Sequence, residues 1–344
     1  MILCVTLNPC LDKTLSVPDW TPGDSVRGRA VSEVVGGKGN NVARALGRLG
    51  RPSRPATILG GAIGARCEEL LRQVDSFDPL VTPSKAPTRV ILTVRNEDSN
   101  AQTAFFDPDP EVSAAEAEGL YHRIEGALAE GDVQALTLSG SSPARATDGL
   151  YLDLISLARS RKVPVFLDTY GAALESVWGF WPDVIQLNRR ELAQHLRCPQ
   201  PTVQEALARL DAWGRHGVRL ALVTDGPRPV LAQFEGRRYR LVPPEIEAVN
   251  PIGSGDCLLA GLVDAWLSGL EAEAMLRRGL ACAVANAQTW DAGAIDPAEV
   301  RRLEDTIEVE PLPGGTSESD RDDRPAVSSG LRVGVWGRSG GRRR

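Results

Sequence analysis

The middle of the chain alternates short apolar segments with helical patterns, and this alternation restricts the fold more than any other feature of the sequence. Four apolar segments predict buried strands, at residues 135–139, 163–168, 183–188 and 219–224. Apolar residues at helical spacing lie between them, at 150–158 and at 203–213. Short apolar strands separated by helices indicate βαβ units and a parallel sheet covered on both faces. The sequence therefore predicts an α/β protein with a mostly parallel central sheet.

Polar residues stand at the carboxyl end of each of these predicted strands. They are Ser139, Asp168, Asn188 and Thr224. Because ligands of open parallel sheets bind beyond the carboxyl ends of the strands, we expect a functional site at this edge.

Two other segments, near residues 13–35 and 87–108, have a different pattern. Apolar and polar residues alternate there, as in the stretch VILTVRNEDSNAQTAFF. This alternation is typical of antiparallel strands with one solvated face, and it predicts a small second sheet that forms a lid over the main one. From residue 311 onward the sequence is rich in Gly, Ser and Arg and has no periodicity. We therefore expect one domain over residues 1–310 and a disordered tail over 311–344.

Composition excludes several classes of protein. The chain has 39 Lys+Arg and 45 Asp+Glu, a net charge of −6, and 5% aromatic residues, so nothing favours binding to nucleic acid or to acidic membranes. The amino-terminal segment predicts a strand rather than a signal peptide, and no stretch reaches the roughly 18 apolar residues of a membrane span. The six cysteines form no CxxC pair, which indicates reduced thiols in a cytoplasmic protein. The three histidines lack metal-ligand spacing, which argues against a zinc enzyme.

The strongest local motif is the segment VNPIGSGDCLLAGLVDAWLSG at residues 249–269. Its apolar residues have helical spacing, and the predicted helix begins within Gly253, Ser254, Gly255 and Asp256. A glycine-rich turn that opens a helix presents backbone N–H groups at the positive end of the helix dipole, which suits a phosphate or a developing anion. Asp256 in the first turn is either functional or simply an acid that complements the helix end.

A second glycine-rich turn precedes a helix in the segment GGKGNNVARALGRLG at residues 36–50. Lys38 lies beside this turn, so backbone amides and one ammonium group form another arrangement suited to an anion. Such turns are also common without a function. Neither segment has the spacing of a Walker A loop or of a Rossmann fingerprint, so phosphate chemistry here requires another scaffold.

The motifs taken together resemble one family. In chain order they are TLNPCLD, GGKGNNVARALGRLG, LSGSSP, LNRRE, VTDGP and NPIGSGD. This series resembles the ribokinase-like carbohydrate kinases of the PfkB family, over about residues 1–300. The LNPxxD opening and the lysine of GGKG are similar to its sugar-phosphate branch, which includes 1-phosphofructokinases and tagatose-6-phosphate kinases. The resemblance implies a three-layer α/β sandwich with a small β lid.

The same resemblance implies the catalytic residues. Asp256 matches the family's catalytic base, which accepts the proton of the acceptor hydroxyl while the γ-phosphate of ATP is transferred. The backbone amides of Gly253, Ser254 and Gly255, with that of Asp256, match its anion hole.

Several positions match contacts to the sugar. Asp12 matches an acid that accepts hydrogen bonds from sugar hydroxyls, and Gly37 and Asn41 match further sugar contacts. Asp12 could instead be an ordinary turn acid, and Asn41 an ordinary helix cap.

A phosphorylated acceptor would also need cations. Lys38, Arg89 and Arg27 are the candidates, and Ser139 offers a hydroxyl. Arg27 on the predicted lid could instead be a solvated surface residue.

Five residues match the nucleotide side of the family's site. Asn188 and Glu191 resemble an NxxE element in which Glu191 holds Mg²⁺ through water, and Thr224, Gly226 and Asn286 match positions near ATP. Glu191 could also be a helix-start acid, and Asn286 a residue on a helix surface.

The sequence departs from the family pattern at three places. Pro251 replaces a usual Thr, Asn40 replaces a usually apolar residue, and the turn Thr224-Asp225-Gly226 replaces a Ser-Leu-Gly-like turn. These changes concern nucleotide preference and efficiency more than the type of reaction.

The expected activity is an ATP- and Mg²⁺-dependent kinase of a ketohexose phosphate, with fructose 1-phosphate the favoured acceptor. Tagatose 6-phosphate and fructose 6-phosphate are the alternative acceptors. A sugar-phosphate-binding regulator without catalysis is the alternative of another class. The resemblance also implies a homodimer that pairs through the lids.

Overall fold

The computed structural model describes residues 1–314 apart from positions 19, 22, 100 and 178. Its strands, in chain order, are β1 (Ile2–Thr6), β2 (Cys10–Val17), β3 (Arg29–Gly36), β4 (Ser53–Gly60), β5 (Leu80–Ser84), β6 (Arg89–Asn96), β7 (Gln102–Phe106), β8 (Ala135–Ser139), β9 (Val165–Asp168), β10 (Val184–Asn188), β11 (Leu220–Asp225), β12 (Arg228–Phe234), β13 (Arg237–Val242) and β14 (Glu308–Leu312). Its helices are α1 (Lys38–Arg48), α2 (Gly61–Gln73), α3 (Ala114–Ala129), α4 (Leu150–Ser160), α5 (Ala172–Ser176), α6 (Arg189–Leu196), α7 (Val203–Arg215), α8 (Ser254–Leu267), α9 (Ala272–Ala287) and α10 (Pro297–Glu304).

The larger sheet has ten strands in the order β14-β13-β12-β11-β10-β9-β8-β1-β4-β5. The run from β11 to β5 is parallel, and β12, β13 and β14 extend it as antiparallel strands. One apolar core lies between this sheet and α1, α8, α9 and α10, and a second lies on the other face under α3 to α7. The expected three-layer α/β architecture is confirmed. The parallel strands are mostly apolar along their length because both of their faces are covered.

The register of the parallel strands brings their polar ends together. Ser139 at the end of β8 is paired with Asp168 at the end of β9, and Asn188 at the end of β10 is paired with Thr224 on β11. The carboxyl edge of the sheet thus carries the polar residues that the sequence marked.

The smaller sheet has four strands in the order β3-β2-β6-β7. It begins at Cys10, three residues before the predicted lid segment, and its outer pairs are antiparallel. Its central pair, β2 with β6, is parallel, so the small sheet that the sequence predicts is mixed rather than antiparallel in all of its pairs. The chain leaves this sheet after β3, builds α1, β4, α2 and β5, and re-enters through β6 in the direction of β2. A crossover of that length permits a parallel pair, which a hairpin cannot form.

The last strand extends past residue 310, after which the sequence predicts a disordered tail. β14 runs to Leu312, two residues beyond residue 310, and pairs with β13. An ion pair between Arg240 and Glu310, with N–O distance 2.7 Å, joins the two strands. The rest of the predicted tail, residues 315–344, lies outside the described residues.

Close packing of α1 on β1 gives a test of this architecture. A Cβ atom at Gly39 would lie 2.5 Å from both the Thr6 hydroxyl and the Val5 carbonyl oxygen, whereas one at Gly47, on the same helix, would meet nothing within 4 Å. We expect Gly39→Ala to destabilise the protein by about 1–3 kcal/mol through overpacking. Gly47→Ala should stabilise it by about 0.5–1 kcal/mol, because alanine favours the helix. Urea unfolding of the two variants measures the difference, and equal effects would contradict the close contact.

Candidate active site

The amino end of α8 is built by a left-handed glycine and a buried asparagine. Gly253 has φ 84°, and a Cβ atom there would lie 2.6 Å from Ala292, so only glycine suits this turn. The Asn286 amide nitrogen donates to the Ile252 carbonyl at 2.9 Å and to the Ser254 hydroxyl at 3.2 Å. Asn286 is fully buried on α9, so it is not a helix-surface residue. Its side chain fixes the turn in front of α8.

The amides at this helix start differ in what they contact. The Ser254 N–H donates to the Pro251 carbonyl at 3.2 Å. Among the described residues, no hydrogen bond occupies the N–H groups of Gly255 or Asp256, while the Gly255 carbonyl accepts from the Gln186 side chain at 2.9 Å. The N–H groups of Gly255 and Asp256 are therefore the ones best placed to stabilise an anion.

The Asp256 carboxyl lies in the first turn of α8 and is 5% exposed. The Asn41 amide nitrogen, on α1, donates to its Oδ2 atom at 2.8 Å. Burial, and after it the negative charge of Asp168, raises the pKa of Asp256 to about 7. A carboxyl with this pKa exchanges a proton near neutral pH, which is what a general base requires.

Lys38, the first residue of α1, lies between two carboxylates. Its Nζ atom is 2.7 Å from Asp168 Oδ1 and 2.9 Å from Glu191 Oε1. Burial by itself lowers the pKa of the Lys38 ammonium, but Asp168 and Glu191 outweigh burial, so the pKa lies above its ordinary value. The group therefore keeps its positive charge. The structure places this charge at the ends of β9 and β10, on the side where the sequence predicts the nucleotide.

Asn188 and Glu191 form a reciprocal cap at the start of α6. The Glu191 N–H donates to Asn188 Oδ1 at 2.9 Å, and the Asn188 N–H donates to Glu191 Oε2 at 2.8 Å. Glu191 is thus a helix-start acid and a partner of Lys38 at once. Thr224 lies next to Asn188 on β11, and Gly226 lies in the turn to β12 with φ 57°.

The donor atoms near Lys38 suit a magnesium ion only with help from other ligands. The described residues contain no group of three or more His, Cys, Asp or Glu side chains that could hold a metal. Asp168 Oδ2 is buried and has no hydrogen-bond partner within the described chain. Carboxylate oxygens of this kind fit Mg²⁺, which takes few protein ligands and keeps several waters.

Asp12 lies at the junction of the smaller sheet with the main body. Its partly buried carboxylate faces the strand β3, where a Cβ atom at Gly36 would lie 1.9 Å from Asp12 Oδ2. The Cys10 thiol donates to Oδ1 at 3.6 Å, and burial raises the pKa of Asp12. Gly37 follows directly as the N-cap of α1, with φ 108°. Glycine at 36 thus leaves room for the carboxylate beside the start of α1.

Arg89 begins β6 at the base of the smaller sheet. Its Nη1 donates to Asp109 Oδ1 at 2.9 Å, and its Nη2 donates to the Asn8 carbonyl at 3.3 Å. Asn8 also donates to Asp109, at 2.8 Å. Ser139, at the end of β8, is buried, and its hydroxyl has no partner within the described chain. Arg89, Asn8 and Asp109 form a polar corner beside the strand ends.

The structure does not bring Arg27 into this cluster. The residue is exposed on the connection between β2 and β3, and no hydrogen bond joins it to the described site residues. By contrast, Lys38 bonds to Asp168 and Glu191, and Asn41 bonds to Asp256. Charge interactions link Asp256 to Lys38, Asp168 and Glu191.

Sequence reasoning gave no role to four residues that shape the site: Asp168, Gln186, Arg44 and Asp109. A signal existed for two of them. Gln186 interrupts the apolar strand VIQLN, and Arg44 follows Asn41 by three residues, on the same helix face. The sequence identifies Asp168 only as a polar residue at the carboxyl end of a predicted strand. Nothing in the sequence near Asp109 indicates its pairing with Arg89, since the two are twenty residues apart in a connecting segment.

Comparison with known proteins now identifies the chain. Over residues 5–299 it matches the family model described as pfkB family carbohydrate kinase. The chain belongs to the pfkB family of carbohydrate kinases. This pfkB kinase is therefore a phosphotransferase, and kinases of the family use ATP.

Solved structures with the same fold are similar over nearly their whole length. A protein from Thermotoga maritima, described as a possible 1-phosphofructokinase, has TM-score 0.81 and 25% identity, with 91% of this chain and 99% of that chain covered. Phosphofructokinase-2 from Escherichia coli in complex with potassium has TM-score 0.81 and 24% identity, with 89% and 98% covered. Ribokinase from Arabidopsis thaliana, complexed with ribose and ATP, has TM-score 0.66 and 19% identity, with 88% and 98% covered. The pfkB kinase thus has the ribokinase-like fold. None of its described helices is both long enough and apolar enough to cross a membrane.

The pKa of Asp256 predicts the pH dependence of this pfkB kinase. Below a pKa of about 7 the carboxyl is protonated and cannot accept a proton, so kcat/KM should rise through about pH 7 and level above it. Asp256→Asn should lower kcat by about 10²–10⁴-fold and abolish this limb. Initial rates across the pH range measure both effects.

The control is Asp264→Asn, since Asp264 lies on the same helix and is equally buried, but pairs with Arg51 and Arg278. This variant should keep the pH limb of the parent protein. Normal turnover in a folded Asp256→Asn variant would remove the role assigned to Asp256.

Proposed function

We propose that this pfkB kinase transfers the γ-phosphate of ATP to a ketohexose phosphate, with fructose 1-phosphate as the favoured acceptor and fructose 1,6-bisphosphate as the product. The observation that carries the proposal is the buried Asp256 carboxyl, which lies at the amino end of α8 and accepts a hydrogen bond from Asn41. A base and two unoccupied helix N–H groups at one point match the needs of phosphoryl transfer to an alcohol.

Asp256 acts as the general base in this mechanism. The acceptor hydroxyl oxygen forms a bond to the γ-phosphorus while the bond from that phosphorus to the bridging oxygen breaks and ADP leaves. The hydroxyl proton passes to Asp256. The N–H groups of Gly255 and Asp256 stabilise the negative charge that develops on the transferring group.

The nucleotide side of the proposed site consists of Lys38, Asp168, Asn188 and Glu191. The sequence predicts that Lys38 binds the phosphate of the acceptor. Because Asp168 and Glu191 hold its ammonium at the ends of β9 and β10, we propose instead that it offers its positive charge to the phosphates of ATP. Asp168 and Glu191 would hold Mg²⁺, Glu191 through water; the ion neutralises phosphate charge when bound. Asn188 orients Glu191 through the shared helix cap. Thr224 and Gly226 border the same edge.

The acceptor side of the proposed site lies between the smaller sheet and α1. Asp12 accepts hydrogen bonds from sugar hydroxyls, and the backbone near Gly37 allows close approach. Arg89 offers its guanidinium to the phosphate that the acceptor already carries, in exchange for Asp109. Ser139 contributes its hydroxyl, and Arg27 would reach the site only if its loop closes over the sugar.

A panel of acceptors tests the proposed function. Coupled ADP release should be fastest with fructose 1-phosphate, slower with fructose 6-phosphate and tagatose 6-phosphate, and slowest with free fructose. The reason is that a free sugar gives Arg89 no anion to bind. The Asp256→Asn variant gives the background rate of ADP release that occurs without phosphoryl transfer to the acceptor.

Two results of this panel would contradict the proposal. Preferred turnover of free fructose would show that the acceptor carries no phosphate. Binding of sugar phosphates without turnover of any acceptor would favour a regulator over a catalyst.

We propose in addition that the protein is a homodimer that pairs through its smaller sheets. Large apolar side chains are exposed on strands of this sheet: Phe105 and Phe106 on β7 are 52% and 63% exposed, and Val31 on β3 is 44% exposed. A second copy would remove this apolar surface from water.

The dimer is tested by Phe106→Glu, which places a charge in the proposed interface. The variant should sediment as a monomer, whereas the parent protein sediments as a dimer. Val203→Glu is the matched control, because Val203 is also exposed, at 47%, but begins α7, which packs on β11 and β12 of the main sheet. A monomeric parent protein, or a dimeric Phe106→Glu variant, would overturn this interface.

A further inference from the structure

The Arg44 side chain on α1 joins four separate parts of the structure. Its Nη1 atom donates to Asn41 Oδ1 and to the Ala292 carbonyl, each at 3.1 Å. Its Nη2 atom donates to the Val35 carbonyl at 3.2 Å and to Asp75 Oδ2 at 2.8 Å, and its Nε atom donates to Asp75 Oδ1 at 2.9 Å. The bidentate pair with Asp75 fixes the plane of the guanidinium, so its remaining donors have defined directions.

This arrangement determines which end of the Asn41 amide faces the base. A guanidinium has donors only, so it must meet the oxygen of the amide. With Oδ1 bonded to Arg44, Nδ2 points to Asp256 and donates at 2.8 Å. In the opposite amide orientation the oxygen would face the Asp256 carboxylate, and the nitrogen would face the guanidinium. Both contacts would then be repulsive.

We propose that Arg44 is a positioning residue for phosphoryl transfer, which acts through Asn41 to keep a hydrogen-bond donor on the Asp256 carboxyl. The catalytic part of this inference rests on the function proposed above, whereas the link from Arg44 to Asp256 is a property of the protein without substrate. Asp75 supports the link because it holds the guanidinium from the opposite side.

The same guanidinium also reaches the turn that carries the anion-binding amides. The Ala292 carbonyl that it binds precedes Gly293, whose N–H donates to Asn286 Oδ1 at 2.9 Å. Asn286 in turn holds the Ile252 carbonyl and the Ser254 hydroxyl. Arg44 thus reaches the Asp256 carboxyl through Asn41, and it reaches the turn before α8 by a separate route through Ala292 and Asn286.

Other charged and titratable groups also act on Asp256 and must be kept constant in a test. They come from every element around it: Lys38 on α1, Asp168 at the end of β9, Glu191 on α6 and Cys257 on α8. None of these four side chains bonds to Arg44. Loss of Arg44 therefore leaves their hydrogen bonds in place. It acts on Asp256 through the Asn41 amide, through the Ala292 carbonyl and the turn before α8, and through the charge of the guanidinium.

A carboxyl-carbon NMR titration of the substrate-free, aspartate-labelled protein separates the effect through Asn41 from the others. The signal of Asp256 is assigned by its absence in Asp256→Asn. In Arg44→Met the titration midpoint of Asp256 should rise by about one pH unit, which corresponds to the loss of one hydrogen bond to a charged group. Asn41→Leu should raise it by a similar amount, and the double variant should shift it by less than the sum of the two single shifts, because the route through Asn41 is lost only once.

The control is Arg48→Met, which removes an exposed arginine one turn along the same helix and should leave the midpoint unchanged. Arg44→Lys keeps the positive charge but cannot hold Asp75, Asn41 and two carbonyls together, so its midpoint should lie between those of the parent protein and Arg44→Met. It also provides the test if Arg44→Met fails to fold.

Two outcomes would overturn the inference. The first is a parental midpoint in a folded Arg44→Met or Arg44→Lys variant. The second is a double variant whose shift equals the sum of the single shifts, since Arg44 would then act independently of the Asn41 amide. In kinetics, the acidic limb should move upward with the midpoint. Because the titration needs no acceptor, the positioning role can hold even if the acceptor panel refutes the proposed function.

Discussion

The removal of one carboxyl group from water, at the amino end of α8, imposes most of the other features of this site. An ionised carboxylate is costly to bury without partners, so nearby groups must offset its free energy of desolvation. Asp256 is supported by the Asn41 amide, by the helix end and by the nearby Lys38 charge. These partners come from α1 and α8, which is why the two helices must pack side by side above the same strand ends. Gly39 brings α1 close to β1, since it lies against this strand without a side chain.

Charge balance explains why the pKa of Asp256 remains raised despite these partners. Asp256, Asp168 and Glu191 place three carboxyl groups around one ammonium group, so the cluster has an excess of negative charge if all are ionised. Burial raises the pKa of Glu191 as well, and Asp168 adds to the effect. A group of this kind is poised to take up a proton or to accept a cation. Both properties suit a site that must receive a hydroxyl proton next to the phosphates of a nucleotide.

The fold could be predicted from the sequence further than the site could. The β8 strand and the start of α8 lie within a residue or two of their predicted positions, because apolar runs and a Gly-Ser-Gly turn are local signals. The parallel pairing of β2 with β6 could not be predicted from the sequence, since it depends on a crossover of several elements. The pairs Arg89–Asp109 and Arg44–Asp75 were missed for the same reason. A sequence shows that these residues are charged, but only the fold shows which of many opposite charges each one meets.

The contact between Arg89 and Asp109 bears on the choice of acceptor. Asp109 is 47% exposed in this ion pair, and a pair so open to solvent is worth about 0–1 kcal/mol. A phosphate group carries more negative charge than a carboxylate and can accept two parallel hydrogen bonds from a guanidinium, so it can displace Asp109. A neutral sugar hydroxyl offers no such compensation and would leave the ion pair intact. On the proposed function, Asp109 therefore does not block the acceptor side. It holds Arg89 in place until an anion arrives, and its displacement costs the phosphorylated acceptor only the small free energy of the exposed pair.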